Sequence, residues 1–146
     1  MSAESVKATV VRSFPASSER VFDTWLDSSK IGEWMFGPKV RDEELVRVSM
    51  DPRVGGTFSF VVRRQGMEID HVGEYLELHR PRRLVFTWGT ADSLPETSRV
   101  VIDIEPQDAG CELTLVHEMA PQWSAFVDRV REGWGTMLGG LERATK

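Results

Sequence analysis

The stretch that decides the fold covers residues 73 to 88 and reads GEYLELHRPRRLVFTW. It contains two runs of bulky, branched and aromatic residues, which suit a pleated and half-buried surface. Between them, His79 to Arg83 supplies a polar break that contains a proline. The pattern predicts two β-strands, Ile69 to Leu78 and Leu84 to Trp88, that join at a tight turn and carry aromatic side chains.

Further strand-like runs lie on both sides of this stretch. The predicted strands are Val6 to Phe14, Glu44 to Met50, Thr57 to Arg63, Ile69 to Leu78, Leu84 to Trp88, Arg99 to Ile104 and Leu113 to His117. Short breaks such as Gly55-Gly56 and Gln65-Gly66 favour antiparallel hairpins over the helical crossovers that parallel strands require. The sequence therefore predicts a seven-stranded antiparallel sheet.

Two short helices are predicted after the first strand and a long one near the C-terminus. Ser17 or Ser18 is a candidate N-cap for the first, and the second passes through Ile31 to Trp34 and stops at Gly37-Pro38. Pro121 is suited to the start of the long helix, which is expected to run to Leu141. Its apolar arc consists of Trp123, Phe126, Val127, Val130, Trp134, Met137, Leu138 and Leu141. Such a helix must pack its apolar face on the sheet.

Length and charge limit the class of protein. The chain has 146 residues, which fits one domain over residues 1–146, and a net charge of -5. An acidic chain is not expected to bind nucleic acid, because neutralising phosphates needs a basic face. Cys111 is the only cysteine, and no apolar run resembles a signal peptide or a membrane span. A cytoplasmic protein without membrane insertion is expected.

No recognisable catalytic or metal motif is present in the sequence. The three histidines, His71, His79 and His117, lack the spacing of paired zinc ligands, and neither a nucleophile elbow nor a phosphate-binding glycine loop occurs. We therefore expect neither a metal nor a cofactor, and we assign no catalytic residue. Asp42-Glu43-Glu44 is expected to form a solvated edge, since consecutive carboxylates on a strand point to opposite faces.

Alternation along the strands predicts where other polar side chains point. Leu113, Leu115 and His117 share one face of a strand, so His117 is the histidine expected to point inward, most simply as a hydrogen-bonded core residue. Arg63-Arg64 and Arg82-Arg83 lie beside turns and are expected to be solvated surface. With an acidic pI and no basic entrance, a polyanionic ligand is not expected.

The order of elements resembles the helix-grip fold of the START-like superfamily, in the branch of activator of heat-shock-protein-90 ATPase homologue-like proteins. The segments that carry the resemblance are Pro15 to Trp25, Trp34 with Gly37-Pro38, Gly55-Gly56-Thr57-Phe58, Gly73 to Trp88, Leu113-Thr114-Leu115 with His117, and Gly133-Trp134 with Met137-Leu138 and Leu141. The resemblance implies an α+β domain in which a curved sheet wraps around the C-terminal helix.

The chain has more aromatic residues than a thin two-layer core usually needs. Periodicity alone leaves open whether they fill an ordinary core or surround an enclosed apolar cavity between the sheet and the last helix. The resemblance favours the cavity, because START-like domains commonly hold hydrophobic ligands there. The candidate ligand-binding residues are Trp34, Phe36, Phe58, Phe60, Tyr75, Phe86, Trp88, His117, Phe126, Val130, Gly133, Trp134 and Met137. Tyr75 faces the cavity unless a bulge near Gly73 inverts the alternation.

These observations predict binding of a hydrophobic or amphipathic small molecule. One alternative, suggested by the family name, is an interaction module that contacts a chaperone through an exposed Trp34-Met35-Phe36 surface. A second is a cyclase- or aromatase-like enzyme that uses His117 and Tyr75 for proton transfer. The free edges of an antiparallel sheet would also allow a homodimer.

Two smaller expectations concern the boundaries of the cavity. Trp34 to Pro38 is expected to form a mobile rim, because the Gly37-Pro38 break gives an apolar loop freedom to move. Gly133 and Gly140 are expected either to pack their backbone tightly on the sheet or, for Gly140, to lie in a frayed last turn. The alternative for Gly133 is that it leaves room for ligand.

Overall fold

The computed structural model describes residues 5–146, and within them seven β-strands form one antiparallel sheet. The strands are β1 (Val6–Phe14), β2 (Glu44–Met50), β3 (Thr57–Arg64), β4 (Met67–His79), β5 (Arg83–Thr90), β6 (Ser98–Gln107) and β7 (Gly110–Met119). Their spatial order is β1-β7-β6-β5-β4-β3-β2, so the first strand pairs with the last and β1 and β2 form the edges. The predicted sheet is confirmed.

The described part of the chain has three α-helices. They are α1 (Ser18–Trp25), α2 (Ile31–Trp34) and α3 (Val127–Ala144). Ser17 caps α1, because its side chain accepts a hydrogen bond from the Arg20 N–H. The curved sheet, the long C-terminal helix and the short helices after β1 together form the predicted helix-grip fold. No helix within residues 5–146 is long and apolar enough to cross a membrane.

One extra residue in β4 decides which way Tyr75 points. The pairing between β4 and β5 shifts by one at Leu76, so the bulge lies after Tyr75 and not near Gly73. Tyr75 faces inward and is only 3% exposed. Gly73 has a different reason to be glycine: a Cβ there would collide with the Thr87 carbonyl oxygen and the Phe58 ring. The absence of a side chain lets the Phe58 ring pack directly on the backbone of β4.

The last helix starts later than the sequence predicts. Pro121–Phe126 forms a 3₁₀ helix, and α3 begins only at Val127. Trp123 and Phe126, both expected on the buried arc, are 50% and 40% exposed. The arc was wrong for this segment because a 3₁₀ helix turns about 120° per residue, so its side chains do not continue the α-helical stripe.

Helix α3 is packed tightly at its C-terminal half and borders open space at Gly133. A Cβ on Gly140 would lie 3.0 Å from the Cα and carbonyl oxygen of Trp34 in α2. Trp34 is fully buried and meets Trp25 edge-on, with ring centroids 4.6 Å apart. Gly140 therefore allows close contact with α2, not with the sheet, whereas a Cβ on Gly133 would meet no atom within 4 Å.

The two glycines should respond in opposite ways to alanine. Gly133→Ala should raise the free energy of unfolding by about 1 kcal/mol, because it removes the entropic penalty of a helical glycine and the methyl group enters open space. Gly140→Ala should lower it, because the methyl group would press on the backbone of the buried Trp34. Urea unfolding measures both. Stabilisation by Gly140→Ala would contradict the tight contact between α2 and α3.

Candidate functional site

A cleft of about 210 Å³ lies between the sheet and the N-terminal half of α3. Strands β3, β4, β5 and β7, the loop before β2 and helix α3 contribute its walls. The lining residues are Phe36, Arg41, Arg64, His71, Trp88, His117, Val130, Gly133, Trp134 and Met137. The cleft thus combines an apolar wall with two arginines and two histidines.

Next to the cleft, the aromatic side chains of the sheet fill the interior. The Phe58 ring centroid lies 4.9 Å from that of Phe60, 5.5 Å from that of Tyr75 and 5.7 Å from that of Phe86. The void among these rings has about 10 Å³, the space of a single water molecule. The expected enclosed apolar cavity is therefore wrong for these residues, because their rings interlock.

The structure sorts the candidate residues into three groups. Those that line the cleft are Phe36, Trp88, His117, Val130, Gly133, Trp134 and Met137. Those that surround the small void are Phe58, Phe60, Tyr75 and Phe86, with Trp88 belonging to both groups. Trp34 and Phe126 line neither space, since Trp34 packs between α1 and α3 and Phe126 lies on the exposed 3₁₀ helix.

His117 joins the cleft wall to the sheet through a chain of hydrogen bonds. The indole N–H of Trp134 donates to Nδ1 of His117 over 3.0 Å. Nδ1 is therefore unprotonated, and Nε2 donates to Oγ of Ser98 over 2.6 Å, which in turn donates to the carbonyl oxygen of Trp88 over 3.0 Å. The chain fixes one tautomer of His117 and holds two aromatic residues of the cleft in place. His117 is thus the inward, hydrogen-bonded residue that the alternation of β7 predicts.

This environment keeps His117 neutral. Burial lowers its pKa to about 4. Protonation at Nδ1 would also place an N–H against the N–H of Trp134, so both effects favour the neutral ring. A group with this pKa and both nitrogens engaged is poorly suited to proton transfer near neutral pH.

Tyr75 does not share a site with His117. It borders the small void, whereas His117 borders the cleft, and burial raises the pKa of the Tyr75 hydroxyl. The structure thus does not bring together the two residues on which the enzyme alternative depends.

Glu43 is a buried carboxylate that organises the loop before β2. Its side chain has no solvent exposure and accepts hydrogen bonds from the Gly37 N–H (2.8 Å), Nη1 of Arg41 (3.0 Å) and both Nε (3.1 Å) and Nη2 (2.6 Å) of Arg64. Burial alone would raise the pKa of Glu43, but these bonds and the two positive charges outweigh it and hold the pKa below its usual value.

The environment expected for two of these residues is wrong. Glu43 was expected at a solvated edge and Arg64 on the surface, and with Arg64 and Arg41 the cleft has the basic side that composition did not suggest. Arg64 was detectable, because Phe58, Phe60 and Val62 are buried and Arg64 continues the same face of β3 by period two. Glu43 precedes its strand, and no local pattern marks it as buried.

His71 is a further cleft residue that sequence analysis did not assign. Phe60 and His71 are paired across β3 and β4, and Nδ1 of His71 donates to the Phe60 carbonyl oxygen over 3.3 Å. Its ring lies 4.4 Å from that of Phe36 between centroids, and burial lowers its pKa. It has the same parity in β4 as Tyr75, so the inward face of Tyr75 was the available signal.

The expected exposed surface at Trp34-Met35-Phe36 is wrong. The three side chains are 0%, 2% and 1% exposed, because Trp34 packs between α1 and α3 and the two residues after it lie against aromatic rings of the sheet. Arg41 also binds the Met35 carbonyl oxygen, and Glu43 binds the Gly37 N–H. The segment therefore lacks the apolar surface on which the chaperone-binding alternative rested. Its mobility as a rim is opposed by these two hydrogen bonds, of which the one to Glu43 is buried.

The family model for activator of Hsp90 ATPase homolog 1-like protein matches residues 15–146. The chain belongs to this family. The match covers both short helices, α3 and every cleft residue. No curated protein is similar enough to the chain to be matched.

Solved structures share the architecture of this chain. A Nitrosomonas europaea protein is 21% identical, with 94% of this chain and 92% of that chain covered and a TM-score of 0.80. A Staphylococcus aureus protein of unknown function is 14% identical, with 97% and 94% covered and a TM-score of 0.84. An AHSA1-like protein from Aeromonas hydrophila is 18% identical, with 94% and 90% covered and a TM-score of 0.75. At these identities the likeness shows the fold alone.

Stability should fall as the pH drops from about 7 to about 4. His117 has a pKa of about 4 in the fold, whereas an unfolded histidine has a pKa of about 6.5. Between these values the unfolded chain binds the proton and the native chain does not. For each pH unit of acidification, His117 therefore lowers the free energy of unfolding by about 1.4 kcal/mol. Its contribution is complete above about pH 6.5 and is lost as the pH falls through this window.

Urea unfolding at about pH 7.5 and about pH 5 tests this linkage. His71 contributes in the same direction, so the comparison with His117→Gln isolates His117. From about pH 7.5 to about pH 5, the free energy of unfolding should fall by about 2 kcal/mol more in the wild type than in the variant. An equal loss in both proteins would show that His117 titrates normally in the fold.

The Gly37 amide should exchange hydrogen slowly, because it donates to a carboxylate without solvent exposure. Glu43→Ala should accelerate that exchange and lower the free energy of unfolding by about 2 kcal/mol, since two arginines lose their shared partner. Amide exchange followed by NMR measures the effect, and Glu44→Ala, at an exposed neighbour that pairs with Arg63, is the control. Fast exchange of the Gly37 amide in the wild type would support the expectation that Trp34 to Pro38 forms a mobile rim.

Proposed function

We propose that the protein binds a small hydrophobic or amphipathic molecule in the cleft between the sheet and α3. The observation that carries the proposal is the open space in front of Gly133. A Cβ added to this residue would have no neighbour within 4 Å, and the residue lines the cleft. Apolar side chains border this space, and an apolar wall in a concave site is the usual feature of small-molecule sites.

The walls of the cleft are held in position by their own hydrogen bonds. Trp134 and Trp88 are connected through His117 and Ser98, and their ring centroids lie 5.3 Å apart. Side chains that are fixed before binding lose little conformational entropy when a ligand arrives. The chain of bonds thus supports a preorganised binding surface.

The size of the cleft limits the ligand. A volume of about 210 Å³ lies below the range of roughly 300–1,000 Å³ that holds drug-sized molecules. The cleft suits a molecule of one or two rings, a short acyl chain, or part of a larger ligand. Membership of a START-like family adds support, because that superfamily commonly holds hydrophobic ligands between the sheet and the C-terminal helix.

The test is binding of the neutral dye N-phenyl-1-naphthylamine, followed by its fluorescence. Wild-type protein should bind the dye, and Gly133→Leu should abolish binding because the new side chain occupies the cleft. Gly135→Leu is the matched control: it makes the same substitution in the same helix, its Cβ also enters open space, and it lies outside the cleft lining.

Equal binding by both leucine variants would place the dye elsewhere and contradict the proposal, as would failure of the wild type to bind. Native mass spectrometry of the purified protein is a second measurement. A co-purifying small molecule that is absent from Gly133→Leu and retained by Gly135→Leu would identify the natural ligand.

A further inference from the structure

Two guanidinium groups lie beside the apolar wall of the cleft. Arg41 and Arg64 both line it, and both pair with the single buried carboxylate of Glu43. His71, the neighbouring polar group on that side, has its pKa lowered by burial and is neutral at pH 7. Two positive charges and one negative charge leave one positive charge at the cleft.

This charge has hydrogen-bond donors that Glu43 does not use. Arg64 gives Nε and Nη2 to Glu43, and Arg41 gives Nη1 to Glu43 and to the Met35 carbonyl oxygen. Among residues 5–146, Nη1 of Arg64 and Nη2 of Arg41 donate to no acceptor. The two side chains are 37% and 26% exposed, so these donors are within reach of a ligand.

We propose that the ligand of the cleft carries one anionic group, such as a carboxylate, that binds Arg64 and Arg41 while its apolar body lies against Trp88, Trp134 and Val130. This inference rests on the proposed function, since it concerns the same cleft. It narrows the expected hydrophobic or amphipathic ligand to an amphipathic molecule with one negative charge.

Glu43 has a positioning role in this site. A guanidinium is a planar fork that binds an oxyanion best when its orientation is already fixed. Glu43 fixes the Arg64 side chain through two bonds to one oxygen and the Arg41 side chain through the other oxygen. One arginine is enough to neutralise the Glu43 carboxylate. Because two arginines pair with it, one positive charge is available to a ligand.

The test compares two dyes that differ by one charge. They are the neutral N-phenyl-1-naphthylamine and 1-anilinonaphthalene-8-sulfonate, which has the same rings and one sulfonate. Arg64→Gln should weaken binding of the sulfonate dye about tenfold and change binding of the neutral dye by less than about twofold. Arg64→Lys should retain most of the sulfonate affinity, because it keeps the charge.

Arg63→Gln is the matched control. Arg63 is adjacent to Arg64 in β3, loses the same charge, and pairs instead with the exposed Glu44 and Glu68, away from the cleft. It should change neither dye. A measurement on the wild type alone provides an independent check: raising NaCl from about 50 mM to about 500 mM should weaken the sulfonate dye and not the neutral one.

The outcomes separate this inference from the proposed function. If the neutral dye binds in a Gly133-dependent manner while Arg64→Gln and salt affect both dyes equally or neither, the anionic group is refuted and the cleft remains a binding site. If neither dye binds the wild type, both proposals fail. Loss of the sulfonate dye in Arg64→Gln, with the neutral dye and Arg63→Gln unaffected, supports the anionic ligand.

Discussion

The structure depends on how α3 packs its apolar face. The packing is close at the C-terminal half of the helix and leaves open space at the N-terminal half. At the C-terminal half, Gly140 brings the helix backbone against α2, where even a methyl group would press on Trp34. At the N-terminal half, the Trp134 ring of the helix packs against Trp88 of the sheet, and Gly133 beside it has no side chain to fill the space in front of it. The space that remains in front of Gly133 is the cleft.

Two buried polar centres keep that space from collapsing. His117 fixes the inner wall through Trp134 and Ser98, and Glu43 fixes the outer wall through Arg41 and Arg64. Both ring nitrogens of His117 and both carboxylate oxygens of Glu43 are hydrogen-bonded. This is the condition under which burial of polar groups is tolerated. The same bonds that offset their desolvation also set the shape and charge of the site.

Period-two alternation explains how much of the site was accessible to sequence reasoning. It correctly placed His117 with Leu113 and Leu115, and the same rule applied to β3 puts Arg64 on the face of Phe58. The helical spacing used for the last helix, in contrast, failed at its first residues. Phe126 lies in a 3₁₀ turn, so the α-helical arc did not apply to it.

The sequence by itself determined the seven strands, their antiparallel pairing in hairpins and the presence of the C-terminal helix, because these follow from local periodicity and short turns. Only the tertiary structure decided which aromatic rings fill the interior and which border free space. It also decided that Glu43 is buried, through a pairing with Arg64 across 21 positions of the chain. Both outcomes are set by distances between elements that are remote in sequence, and local propensity contains no information about those distances.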